Sequence, residues 1–204
     1  MHVSAPARMH QVAPRPNKSL PLVTRLHHYA YRCKDAEETR RFYEEVLGLP
    51  LARIISHDHI PSTGEYAPYC HLFFELADGS YIAFFDIFDN KGCLLADGVP
   101  DWLHHIALMV NSEQELLAMK SRLETHGVSV IGPIKHTIMS SIYFFDPNGH
   151  RLEFVWEHDC LDVLQNDSAQ AHQKLQVVLN KYVPDRQKPT QAARGSRETS
   201  VPGS

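Results

Sequence analysis

The sequence is short of paired cysteines, long apolar runs and charge of one sign, and each shortage removes a class of protein. Its four cysteines, Cys33, Cys70, Cys93 and Cys160, are scattered with no CxxC pair. That excludes a zinc-ribbon pattern and a dense secreted disulfide framework, and makes a reduced cytoplasm the expected compartment. No stretch approaches the roughly 20 apolar residues of a membrane span. The first two dozen residues, with Arg8, Arg15 and Lys18 among prolines, hold no apolar run suited to a signal peptide. A formal net charge of -4 at pH 7 gives no reason to expect nucleic acid or a membrane surface as partner. What is abundant is histidine, with 14 residues in a chain of 204.

Two of those histidines open matching phrases, Leu26-His27-His28-Tyr29-Ala30 and Leu103-His104-His105-Ile106-Ala107. Each phrase starts the same order of elements. In the first copy, a strand over 26–33 leads to Asp35 and Glu38, spaced as a capping box. A helical pattern follows through Thr39, Phe42 and Val46 to Gly48, and then come strands over 51–56, 70–76 and 81–86. A polar loop from His57 to Pro68 is expected to close over a ligand. The second copy follows a linker with Gly92, Gly98 and Pro100: a strand over 103–110, Ser112 and Glu115 as a second capping box, a helix stopping at Gly127, and strands over 128–131, 140–145 and 152–156. Such internal repetition predicts an α+β domain of two paired βαβββ modules, about 25–90 and 102–157, within a domain over 23–157. Residues 1–22 read as a flexible arm. The extension over 158–204 reads as one helix, about 169–182, with a disordered end.

The repeat makes single residues informative. His28 and His105 lie 77 apart, as do Ala30 and Ala107; at the far end the phrases at Asp78 and Asn148 align at an offset of 70, which makes Ala83 the counterpart of Glu153. Two related histidines and one carboxylate in an apolar strand predict a metal site of His28, His105 and Glu153, because such a carboxylate is costly to bury unless paired or metal-bound. Two imidazoles and a carboxylate leave open positions on an octahedral ion, which suits Fe(II) and also admits Mn(II) or another divalent ion; four-coordinate zinc is less favoured. His27 and His104 face the other way and read as packing or supporting groups. Tyr143 and His136 are candidates for proton transfer, and Phe73, Tyr81 and Phe145 for lining an apolar substrate pocket.

These stretches, His28 to Asp35, Phe42 to Leu49, His105 to Val110 and Tyr143 to Glu153, resemble the vicinal oxygen chelate superfamily, which holds glyoxalases, fosfomycin-type thiol transferases and extradiol dioxygenases. The resemblance implies a curved, metal-binding cup with His28, His105 and Glu153 as ligands. Glyoxalase I-like members use a further carboxylate at the place of Ala83, which argues against that activity. Extradiol enzymes carry a tyrosine ten residues before the glutamate, matching Tyr143. The expected function is therefore an Fe(II)-dependent, ring-cleaving dioxygenase, with a catechol-like aromatic and dioxygen as partners. A fosfomycin-type thiol transferase, for which Arg32, Arg151 and Lys135 are the available cations, and a non-catalytic binder of aromatic compounds are the alternatives. The cup is expected to form either within one chain or by exchange between the subunits of a homodimer.

Overall fold

The computed structural model describes residues 23–93, 99–100, 102–158 and 161–186. The expected arm over 1–22, Gly98 of the linker and the end of the chain from 187 lie outside the described residues. One compact unit, Leu20–Asp159, holds all the strands. Its first half runs β1 (His28–Cys33), α1 (Ala36–Arg40, continuing as a π-helical turn over Arg41–Val46), β2 (Leu51–His59), β3 (Tyr66–Glu75) and β4 (Tyr81–Asp86). Its second half runs β5 (His105–Met109), α2 (Glu113–Thr125), β6 (Ile131–Lys135), β7 (Met139–Phe145) and β8 (Arg151–Glu157). The two four-stranded sheets have the same order, β1-β4-β3-β2 and β5-β8-β7-β6, and in each the first strand runs parallel to the last. This is the paired βαβββ fold.

In both capping boxes the N-cap side chain accepts its bond. Asp35 Oδ1 accepts from the Glu38 amide at 2.6 Å and Ser112 Oγ from the Glu115 amide at 3.1 Å. The stops are also those expected, since Gly48 and Gly127 have φ of +78° and +76°, a region closed to most side chains. The loop expected over 57–68 is shorter than its composition predicts. β2 and β3 extend into it as an antiparallel pair over 57–59 and 66–68, and 60–65 turn, closed by the Ile60 amide on the Glu65 carbonyl at 2.9 Å. Polar side chains on one face of an edge strand had the composition of a loop. The strand expected over 128–131 instead begins at Ile131.

Alternation divides each sheet into a helix face and an open face. Cys33, Leu72, Phe74, Ile82 and Phe84 of the first sheet bury against Phe42, Tyr43 and Leu47, and one core continues into Leu116, Leu123, Ile142, Phe144, Leu152 and Phe154 of the second module. The modules are further joined by the β7–β8 turn. Asp146 in that turn accepts from the buried Tyr43 hydroxyl at 3.1 Å and from the Asn148 and His150 amides at 2.9 and 2.7 Å. Asn148 accepts from the Lys34 amide at 3.0 Å and donates to Thr39 Oγ1 at 3.1 Å, while His150 Nε2 donates to the Arg32 carbonyl at 2.7 Å. The linker completes the clasp: the Cys93 amide donates to the Asn148 carbonyl at 2.8 Å, and a Cβ on Gly92 would run into that same carbonyl.

Helix α3 (Leu161–Arg186) belongs to a separate unit and is longer than the helix expected over 169–182; Leu175, Val178 and Tyr182 are exposed along it. None of the described helices is long and apolar enough to cross a membrane.

Candidate metal centre and substrate cup

The strand register bears out the alignment of the two copies. Ala30 pairs with Ala83 in the first sheet and Ala107 with Glu153 in the second. His28 and His105 therefore stand at equivalent places, one row above the alanine pairs and on the open faces.

On the second sheet, His105 Nε2 lies 3.1 Å from Glu153 Oε2. Glu153 is 5% exposed, and the imidazole beside it gives the buried carboxylate a polar partner. Tyr143 stands opposite Glu153 across β7 and β8, and its hydroxyl lies 3.1 Å from His136 Nε2. Burial raises the Tyr143 phenol and the Glu153 charge adds to this, while Ser141 and Arg151 oppose it. The Arg151 guanidinium lies over the Tyr143 ring at 4.8 Å, with Nε buried and without a hydrogen-bond partner. Phe145 shares the row of Arg151 and His105.

His28 sits on the other sheet. Its Nδ1 lies 2.7 Å from Nδ1 of His27, so one ring donates and the other accepts. Around it are Phe73 at 5.5 Å and His71 at 5.9 Å between ring centroids. Tyr81 pairs with His28 in register. The structure thus brings together His105, Glu153, Tyr143 and His136, with Phe145 near by. It places His28, Phe73 and Tyr81 together on a second surface, and among the described residues no three histidine, cysteine or acidic side chains converge as a metal cluster. The donor types still fit a divalent ion, since imidazole and carboxylate already approach each other at His105 and Glu153 and a third imidazole is held ready at His28. Arg32, a cation considered for an anionic substrate, is already neutralised by Asp89 and donates to the Lys91 carbonyl at 2.9 Å.

A cleft of ≈ 250 Å³ adjoins the pair, walled by Tyr29 and Tyr31 of β1 and by His104, His105, Phe145 and Arg151. His104, expected to face away from the metal, lines this cleft.

Sequence reasoning missed His71. No motif marks it; its signal is alternation alone, two residues before Phe73 on the same strand face. Desolvation pushes its imidazole down from 6.5 to about 4, and the nearby His28 charge adds to this. Between those values the unfolded chain takes up a proton that the folded one refuses, so stability falls as pH drops from 6.5 toward 4. In thermal melts across that window, His71→Phe should lose several degrees less than the wild type; parallel losses would refute the assignment.

Two modules that repeat a βαβββ order and turn histidines and a carboxylate onto their open faces define the paired βαβββ class. The sequence agrees: residues 25–154 match the Glyoxalase/Bleomycin resistance protein/Dioxygenase superfamily, and the chain belongs to that family. No curated protein matches it. Among solved structures, a glyoxylase/bleomycin resistance protein/dioxygenase domain from Frankia sp. EAN1pec is 16% identical, covering 67% of this chain and 100% of that one with a TM-score of 0.55. The trypanothione-dependent glyoxalase I of Leishmania major is 18% identical, covering 76% of this chain and 99% of that one with a TM-score of 0.50. At these identities the likeness is one of fold.

Proposed function

We propose that this chain is a metal-dependent, ring-cleaving dioxygenase acting on a catechol-like aromatic, and that its cup is completed by a second copy of the chain. The observation that carries the reading is the contact of His105 with the buried carboxylate of Glu153, beside the Tyr143 and His136 hydrogen bond. His28 of the second copy would supply the remaining imidazole, because the clasp at Asp146 and Asn148 joins the modules through their helix sides and leaves both open faces for a partner. The face that bears Glu153 also carries Met109, Ile131, Ile134 and Phe145 as exposed apolar side chains, a patch suited to being covered.

Held by His105, Glu153 and the partner's His28, Fe(II) would supply oxygen activation and a cationic anchor for a substrate oxygen, with Mn(II) as the alternative. The chain's own groups do the rest. Phe73 and Tyr81 from one sheet and Phe145 from the other would flank the aromatic ring. The Tyr143 hydroxyl, held by His136, would take and return a proton at the substrate oxygen.

Arg151 supports a second reading. A buried guanidinium N–H without an acceptor suits an anionic group, as in a metal-dependent thiol transferase that opens a phosphonate epoxide.

Oxygen uptake by the Fe(II)-loaded protein on a panel of catechols separates the readings. Uptake with a new ring-fission chromophore is expected, lost in His105→Ala and Glu153→Ala. It should fall by about 10²–10⁴-fold in Tyr143→Phe with metal content unchanged. Iron binding without uptake, but with consumption of thiol and phosphonate epoxide, would favour the transferase. A folded protein that takes up no divalent metal would be a binding protein.

A further inference from the structure

The first sheet holds a polar group that this reading leaves unused. His71 is 7% exposed, and its Nε2 is sealed from solvent without a hydrogen-bond partner. The ring stacks on Phe85 at 3.6 Å between centroids and lies 4.1 Å from Phe73. Leaving a buried donor or acceptor unpaired destabilises a fold. A phenylalanine would fill such a space without that cost, so packing alone does not account for an imidazole.

The register shows where His71 can act. Across β1, β4 and β3, one row is His28 and Tyr81, the next is Ala30, Ala83 and Phe73, and the third is Arg32, Phe85 and His71. His28 and His71 therefore flank the alanine row on one face, and their rings close to 5.9 Å across it. In the second module the matching row is Ala107, Glu153 and Tyr143. Where that module presents a carboxylate, the first presents Ala83 and an imidazole leaning in from the neighbouring strand. The Nδ1 of His28 is occupied by His27, which leaves its Nε2 available. A ring nitrogen sits about 2 Å from its ion, so centroids 5.9 Å apart fit two imidazoles on one ion.

We infer that His71 is a further protein ligand of the metal, working with His28 from the first module as Glu153 works with His105 from the second. The inference rests on the metal reading above and deepens it. The donor set would then be three imidazoles and one carboxylate, a set suited to a divalent ion.

The test is metal coordination in the full chain, with Cu(II) and Co(II) as probes. EPR of the Cu(II)-loaded wild type should count three imidazole nitrogens, and of His71→Phe two. Co(II) affinity should fall at least about ten-fold in His71→Phe and recover in the double variant that adds Ala83→Glu. Should the phenylalanine variant not fold, His71→Gln should show the same loss of one nitrogen. A folded His71 variant with the wild-type nitrogen count and affinity overturns the inference, provided His105→Ala loses the metal. If the wild type itself binds neither ion, the metal reading falls with it.

Discussion

Mixing His28→Ala chains with Glu153→Ala chains, each inactive alone, should restore metal binding and turnover. Each cup would take His28 from one chain and His105 with Glu153 from the other. In a mixed dimer, one cup then carries both lesions and the other carries none. Random exchange makes about half of the dimers mixed, so about a quarter of all cups are intact. The expectation comes from the placement of the ligands: His28 stands with His27, His71 and Phe73 on the first sheet, and His105 with Glu153 on the second. If the cup instead closed within one chain, every chain in the mixture would be damaged and mixing would restore nothing. Metal content and oxygen uptake after co-expression, with each variant expressed alone as control, decide between the two.

Asp146→Ala should be the most destabilising single change outside the apolar core. Four donors converge on this carboxylate: the Tyr43 hydroxyl at 3.1 Å, the Asn148 amide at 2.9 Å, the His150 amide at 2.7 Å and the Asn148 side-chain amide at 3.1 Å. Alanine leaves them unpaired, and Tyr43 is fully buried, so water does not replace the lost acceptor. A loss of about 3–5 kcal/mol is expected. Tyr43→Phe removes one bond and its donor together, and should cost only about 1 kcal/mol. Urea unfolding of both variants tests the difference; equal losses would mean that the clasp does not join the modules as a network.

The site was legible where two local signals agreed. Histidines at equivalent places in two copies, together with Asp35, Ser112 and the glycines after each helix, located the strands that bear His28, His105 and Glu153. The register then followed from the turn phrases at Asp78 and Asn148, and the strand pairing shows the same alignment. What stayed hidden depends on contacts far apart in sequence. The clasp brings Asp146 to Tyr43 and Asn148 to Thr39, and no periodicity reports that the first module's helix meets the β7–β8 turn of the second. The long hairpin of β2 and β3 was hidden because its outward residues are polar, as a loop's are. His71 carries no sequence signal: one histidine among Phe73, Phe74 and Phe85 has the pattern of packing, and its unpartnered nitrogen is what sets it apart.

The exposed side chains of Met109, Ile131, Ile134 and Phe145 bear on how the protein is made as well as on how it works. If a second copy covers this face, as proposed above, a newly released chain that has completed its core still shows an adhesive surface until it pairs. At low abundance this surface attracts chaperones and proteases; at high abundance it favours rapid pairing, but also clumping among partly folded chains. Refolding yield of such a dimer should therefore pass through an optimum in protein concentration, and its supply in the cell would depend on encounter between chains as well as on the stability of each one.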